Sequence, residues 1–168
     1  SKIEESLIGS SSACIFASDS GTSQPYAFTD TEQEFTAGGA DTFLIQGNGP
    51  PVATSFGVTF INTETQRALL TTVVPDNGGN FVVPVNAEQA GVYAVYAVSS
   101  TGVSVDGSGA TVITVTPGSF SASNSEISGA GASSAAVGEL STFSIVGRDP
   151  FGNQVRSGGP ELIMSAVG

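Results

Sequence analysis

The sequence contains no histidine and no tryptophan, and Cys14 is its only cysteine. A single cysteine cannot form a disulfide within the chain, and without histidine the usual Cys/His zinc site cannot be built. Cys14 lies in a predicted strand with no base near it, so we expect a small buried hydrophobic residue rather than a nucleophile. These absences predict a protein that is not an enzyme and that uses no cofactor and no small-molecule substrate.

Basic residues are also scarce. Lys2 is the only lysine, and four basic residues in total stand against 15 acidic ones, which gives a net charge of −11. A chain of this charge repels a phosphate backbone and an anionic membrane surface. We therefore expect no nucleic-acid partner and no direct membrane contact. The acidic excess serves solubility, or forms a face for a basic partner.

The apolar residues that are present favour β-structure. Hydrophobic residues make up 39% of the chain, which is enough for a core, and the chain is rich in Gly, Ser, Thr and Val. The apolar runs are dominated by β-branched residues and lack helical periodicity. The composition therefore predicts an all-β protein.

One block of sequence occurs twice, 100 positions apart, with the spacing Gly-x3-Thr-Phe-x-Ile-x-Gly. Its residues are Gly38, Thr42, Phe43, Ile45 and Gly47, which recur as Gly138, Thr142, Phe143, Ile145 and Gly147. A period of about 100 residues matches one small β domain per repeat. The repeat predicts a first domain at 13–117 and the N-terminal part of a second, truncated domain at 118–168. The polar residues 1–12 are expected to form a leader. Both Phe-x-Ile pairs are expected in domain cores.

Seven strands are predicted for the first domain, at residues 13–18, 40–47, 54–61, 67–74, 80–85, 92–99 and 110–116. A polar loop is expected at residues 18–34, and Asp-Asn-Gly-Gly at 76–79 predicts a hairpin turn. Tyr93 is placed to act as a tyrosine corner, with its hydroxyl bonded to backbone at the end of a sandwich. Strands at 139–147 and 161–167 are predicted for the second domain. This pattern is typical of an immunoglobulin-like β-sandwich.

The sequence also resembles a known family. Val-Gly-Glu-Leu-Ser-Thr-Phe-Ser-Ile at residues 137–145, followed by Arg-Asp-Pro-Phe-Gly-Asn at 148–153, resembles the opening half of a filamin-type immunoglobulin-like repeat. That family has a glycine before a Thr-Phe-x-Ile strand and then an Asp-x-x-Gly-Asn turn. Residues 76–81 and 90–93 resemble its closing half. Asn-Gly-Pro at 48–50 replaces the Asp-x-x-Gly-Asn turn in the first unit, so the chain resembles a divergent member.

The resemblance implies a structural scaffold or protein-protein interaction module: a tandem repeat segment of a larger cytoskeletal or filament-associated protein, a ciliary one included. Partners would bind by strand addition or by end-to-end domain packing. In this family a partner strand adds along the sheet edge formed by the third and fourth strands, here residues 54–61 beside 67–74. The candidate partner-binding residues are Phe56, Val58, Phe60, Leu69 and Thr71. The first three face either the core or a partner.

Other interpretations remain open at the level of sequence. Acidic sandwiches rich in Ser, Thr and Gly are also common in extracellular adhesion and surface-fibre modules, so the localisation is cytoskeletal or ciliary, or else the cell surface. An accessory sandwich of a large enzyme is a third hypothesis. Asp30, Glu32 and Glu34 share one face if the segment is extended, which suits either a solvated loop or a weak Ca²⁺ site.

Overall fold

The computed structural model describes residues 26–31, 34–47, 53–105 and 109–156 of the 168-residue chain. The predicted leader, the predicted strands at 13–18 and 161–167, and Cys14 lie outside these residues. Their strands, in chain order, are β1 (Tyr26–Thr29), β2 (Phe35–Thr36), β3 (Thr42–Gly47), β4 (Phe56–Asn62), β5 (Ala68–Val73), β6 (Phe81–Pro84), β7 (Gly91–Ser99), β8 (Thr111–Thr116), β9 (Ser121–Ser128) and β10 (Ser144–Arg148). In the same described ranges, one 3₁₀ turn covers Ala130–Ala132. Among the described residues, no helix is long and apolar enough to cross a membrane.

The first eight strands form a β-sandwich of two sheets. One sheet has the order β1-β3-β6 and is antiparallel, and the other has the order β2-β8-β7-β4-β5. All neighbours in the second sheet are antiparallel except β2 and β8, which run parallel. The buried hydrophobic residues form one cluster, and every member lies between Tyr26 and Val115. The protein is therefore all-β, as its composition predicts.

The sandwich core follows from strict alternation along the strands. In β4, Phe56, Val58 and Phe60 are buried while the residues between them face outward. The rings of Phe56 and Phe81 meet edge to face across the two sheets, with their centroids 4.7 Å apart. Phe43 meets Phe60 in the same way at 6.0 Å. Edge-to-face aromatic pairs add to the free energy of burial, so these rings hold the two sheets together.

Strands β3 to β8 confirm six of the sequence predictions to within two residues at each end. The prediction of a polar loop at residues 18–34 is wrong at Tyr26–Thr29, which form β1, whereas the described residues 30, 31 and 34 lie outside any strand. Tyr26 and Phe28 belong to an apolar run of only three residues, Tyr-Ala-Phe, which is too short to predict a strand. They become a strand through pairing with β3, in which Phe28 lies opposite Ile45.

The second copy of the repeated block forms a strand pair of its own. β9 and β10 are antiparallel, with Ile127 opposite Ile145, and this sheet contains no other described strand. Ile45 of the first copy lies opposite Phe28 in the same arrangement. The predicted strand at 139–147 is observed only as β10. Phe143 was expected in a core but is 39% exposed, because no second sheet among the described residues covers it.

Candidate interaction surfaces

The two strands of the predicted binding edge occupy different positions in the five-stranded sheet. β4 pairs with β5 on one side and with β7 on the other, so it lies inside the five-stranded sheet. The side chains of Phe56, Val58 and Phe60 are all buried in the core. Their partner-facing interpretation is therefore corrected, because both edges of β4 are already paired and a strand added at this side of the sheet would pair with β5.

β5 is the outermost of the described strands in its sheet, and its outer edge is free of any strand that the structure describes. Leu69 and Thr71, the two predicted residues on it, are half-buried on the inner face, and Leu69 packs against the core. Leu70 lies between them and is 78% exposed. Sequence analysis missed Leu70, because its neighbours Ala68 and Leu69 are also apolar and give no clear alternation. The register shows the orientation: Leu69 and Phe60 are partners on the inner face, so Leu70 points outward.

The free edge of β5 carries backbone groups that can pair with another strand. The N–H of Asn62 donates to the carbonyl of Arg67, and hydrogen-bonded pairs alternate along an antiparallel ladder. The N–H and C=O groups of Ala68, Leu70 and Thr72 therefore point away from β4. Strand β5 contains no proline and no charged residue. Natural proteins commonly use those residues to protect an edge, so this edge is unprotected.

The outer face of the five-stranded sheet is uncharged. The alternation and the register of β4, β5, β7 and β8 place thirteen residues on this face. They are Gly57, Thr59, Ile61, Ala68, Leu70, Thr72, Val92, Ala94, Tyr96, Val98, Val112, Thr114 and Thr116. Although the chain has a net charge of −11, this face carries no charged residue. The face is continuous with the free edge of β5. Edge and face together form an apolar surface of the kind that marks interaction sites.

Two turns predicted from the sequence, at Tyr93 and at Asp76, are present in the structure. The hydroxyl of Tyr93 donates to the carbonyl of Gln89 at 2.7 Å, which is the tyrosine corner expected at the start of β7. Asp76 accepts from the N–H of Gly78 at 2.8 Å and from that of Asn80 at 2.9 Å. These bonds, led by the one from Asn80, lower the pKa of Asp76. Asp76 therefore organises the turn between β5 and β6, which is closed by a single bridge between Pro75 and Phe81, and it needs no ligand to explain it. The predicted hairpin is limited to this bridge, because β5 and β6 belong to different sheets.

A second acidic turn lies where the sandwich meets the β9–β10 pair. The carboxylate of Asp149 is completely buried and accepts from the N–H groups of Gly118 (2.8 Å), Phe151 (2.9 Å) and Asn153 (2.9 Å). It also accepts from the side-chain amide of Asn153 at 2.7 Å. Burial acts to raise the pKa of Asp149, but these hydrogen bonds outweigh it and hold the pKa below its ordinary value of 3.8. The side chain is therefore a buried, fully bonded carboxylate.

The acidic residues considered for Ca²⁺ do not form a described site. Asp30 lies in the turn after β1, and Glu32 is outside the described residues. Within the described part of the chain, no group of three histidine, cysteine or acidic residues is placed to hold a metal ion.

Comparison with known proteins adds no family to this picture, because no protein-family model and no curated protein matches the chain. Its function is therefore inferred from its own geometry. The relevant features are the free edge of β5, the uncharged face beside it and the turn around Asp149.

Proposed function

We propose that this chain is a structural scaffold and protein-protein interaction module, a tandem segment of filamin-like immunoglobulin repeats from a larger cytoskeletal or filament-associated protein. The observation that carries the proposal is the repeated strand pair. Ile145 lies opposite Ile127 just as Ile45 lies opposite Phe28, and the second pair directly follows the sandwich. The tyrosine corner at Tyr93 gives further support, since it is characteristic of immunoglobulin-like sandwiches.

Partners bind this module by adding a strand beside β5. The backbone groups of Ala68, Leu70 and Thr72 supply the hydrogen bonds, and the exposed side chain of Leu70 supplies an apolar contact. Because neither the edge nor the adjacent sheet face is charged, the preferred partner is an uncharged, extended segment with apolar residues at alternate positions.

This mode of binding can be tested with peptides selected from a random-sequence display library on the immobilised chain. Leu70→Pro removes the outward N–H but leaves the pairing of β5 with β4 intact, since that N–H faces the free edge. Leu70→Ser is the matched control, because it removes the apolar side chain but retains the N–H. We expect Leu70→Pro to abolish binding and Leu70→Ser to weaken it only partly. Equal binding to both variants would exclude strand addition beside β5.

An extracellular adhesion or surface-fibre module is the second candidate function. It is favoured by the acidic composition, with 15 acidic residues against four basic ones, and by the threonines on the exposed sheet face. Antibody labelling of intact and of permeabilised cells separates the two candidates. Labelling of intact cells supports the adhesion module, and labelling only after permeabilisation supports the cytoskeletal one.

A further inference from the structure

We infer that residues 149–153, here called the junction turn, form a clasp that fixes the β9–β10 pair in one orientation on the end of the sandwich. The clasp binds backbone atoms of the sandwich rather than its side chains. This inference deepens the proposed repeat array, because it identifies the surface through which consecutive units pack end to end.

The burial of Asp149 is the first observation. Asp149 is the only buried residue in the described stretch 117–156, and it lies just beyond the end of β10. A carboxylate is buried only when its hydrogen bonds are made, and here both oxygens are used. Oδ1 accepts the N–H groups of Phe151 and Asn153, which shapes the turn. Oδ2 accepts the N–H of Gly118, which ties the turn to the segment leaving the sandwich.

The second observation is that Asn153 bridges two backbone groups of the sandwich. Its Oδ1 accepts the N–H of Ala90 at 2.9 Å, and its Nδ2 donates to the carbonyl of Glu88 at 2.7 Å. Ala90 and Glu88 lie in the loop before β7, 63 and 65 positions away from Asn153 in sequence. One side-chain amide thus satisfies a donor and an acceptor of the peptide backbone at once. Only asparagine or glutamine has both groups, and the same Nδ2 also bonds Asp149.

The third observation is the contact between Phe151 and Gly38. Gly38 has a left-handed backbone with φ of 68°, and the edge of the Phe151 ring lies where a side chain at this position would be. Only glycine leaves room for this approach. The receiving surface therefore consists of Gly38, the N–H of Gly118 and the backbone of residues 88–90.

The following unit supplies the junction turn, and the preceding unit supplies the receiving surface. The block containing Gly38 recurs at Gly138, so the positions equivalent to 149–153 in the first unit are 49–53. They read Gly-Pro-Pro-Val-Ala and supply neither the aspartate nor the asparagine. Because the receiving surface offers backbone atoms, the partner it fits is any unit that presents an Asp-x-Phe-Gly-Asn turn, whatever the side chains around it.

NMR-detected amide hydrogen exchange on the whole chain tests whether Asn153 bonds the backbone of the sandwich. Asn153→Ala removes both bonds to the sandwich but keeps the backbone N–H that Asp149 accepts, so the turn itself can persist. Gln154→Ala is the matched control, since Gln154 is exposed and adjacent. We expect exchange of the Ala90 amide to accelerate at least about tenfold in Asn153→Ala. It should stay unchanged in Gln154→Ala, as should the amide of Val95 in the core in both variants.

An unchanged Ala90 amide in Asn153→Ala overturns the clasp, and so does equal acceleration in the control.

A second measurement applies if Asn153→Ala also exposes the Phe151 amide, which would mean that the turn has unfolded. Residual dipolar couplings of the sandwich and of the β9–β10 pair should fit one alignment tensor in the unmodified chain, and should separate in Phe151→Ala. Independent alignment in the unmodified chain excludes the clasp. Peptide binding beside β5 is unaffected by either variant, so failure of the clasp and failure of strand addition are distinguishable.

Discussion

The side-chain carboxylate of Asp149 accepts a 2.8 Å hydrogen bond from the backbone N–H of Gly118, 31 residues earlier in the chain. Gly118 leaves the last strand of the sandwich, whereas Asp149 follows the last strand of the next pair. This one contact joins the two strand assemblies across a linker of a few residues. It places a buried, hydrogen-bonded carboxylate at the junction between them.

Acid should open the junction. The folded-state pKa of Asp149 is lowered, so its stabilising effect is complete above its ordinary value of 3.8 and is lost as the pH falls through the lowered pKa. We expect exchange of the Gly118 amide, corrected for intrinsic rates, to rise as the pH falls below 3.8 and through the lowered pKa of Asp149. Asp149→Asn should show fast exchange of this amide at pH 6 and little further change on acidification. A wild-type Gly118 amide that is equally protected at pH 6 and pH 2 would contradict this prediction.

Truncation of Phe56 should be among the most destabilising changes in the sandwich. Its ring is fully buried and packs edge to face against Tyr26 and Phe81. Phe56→Ala should lower the free energy of unfolding by about 3–5 kcal/mol in urea denaturation. Leu70→Ala, on the neighbouring strand but on the exposed face, should change it by no more than about 0.5 kcal/mol. Similar losses for the two variants would show that β4 is not a core strand.

The tyrosine corner should contribute measurably to stability through one hydroxyl group. Tyr93→Phe keeps the buried ring but removes the 2.7 Å bond to the carbonyl of Gln89. We expect a loss of about 1–2 kcal/mol in the free energy of unfolding, with no change in the dependence on urea concentration. Stability equal to that of the unmodified protein would mean that water replaces this bond at no cost.

Alanine should be worse tolerated at Gly38 than at Gly79. Both glycines have left-handed backbones, with φ of 68° and 82°, so alanine strains each by about 1 kcal/mol. A methyl group at Gly79 enters open space, whereas one at Gly38 meets the ring of Phe151. Gly38→Ala should therefore also speed exchange of the Ala90 amide, and Gly79→Ala should not. Equal effects on that amide would show that Phe151 moves aside freely.

The strands from β3 to β8 were predictable because their information is local. Phe56, Val58 and Phe60 alternate with small or polar residues, and a period of two can be read directly from the chain. Strand β1 was missed for the opposite reason. Tyr26 and Phe28 lie among polar residues, and only pairing with β3 makes them part of a sheet.

The sequence prediction placed a sheet edge at β4 and β5, whereas the structure places that edge at β5 alone; binding of a partner there stays a prediction. Ala68, Leu69 and Leu70 are all apolar, so the sequence does not show which of them face the core. The pairing of β4 with both β5 and β7 decides it, because that register leaves β5 at the edge and turns Leu70 outward.

By itself, the sequence determined the all-β class and most of the strands. It also identified the turn at Asp76 and the tyrosine corner at Tyr93, since each depends on residues within a few positions of one another. The tertiary structure alone decided that β5 is the free edge, that Phe143 is exposed and that Asp149 is buried. Each of these depends on which distant segments come together. In the case of Asp149 the partners are the N–H of Gly118 and, through Asn153, the backbone of Glu88 and Ala90.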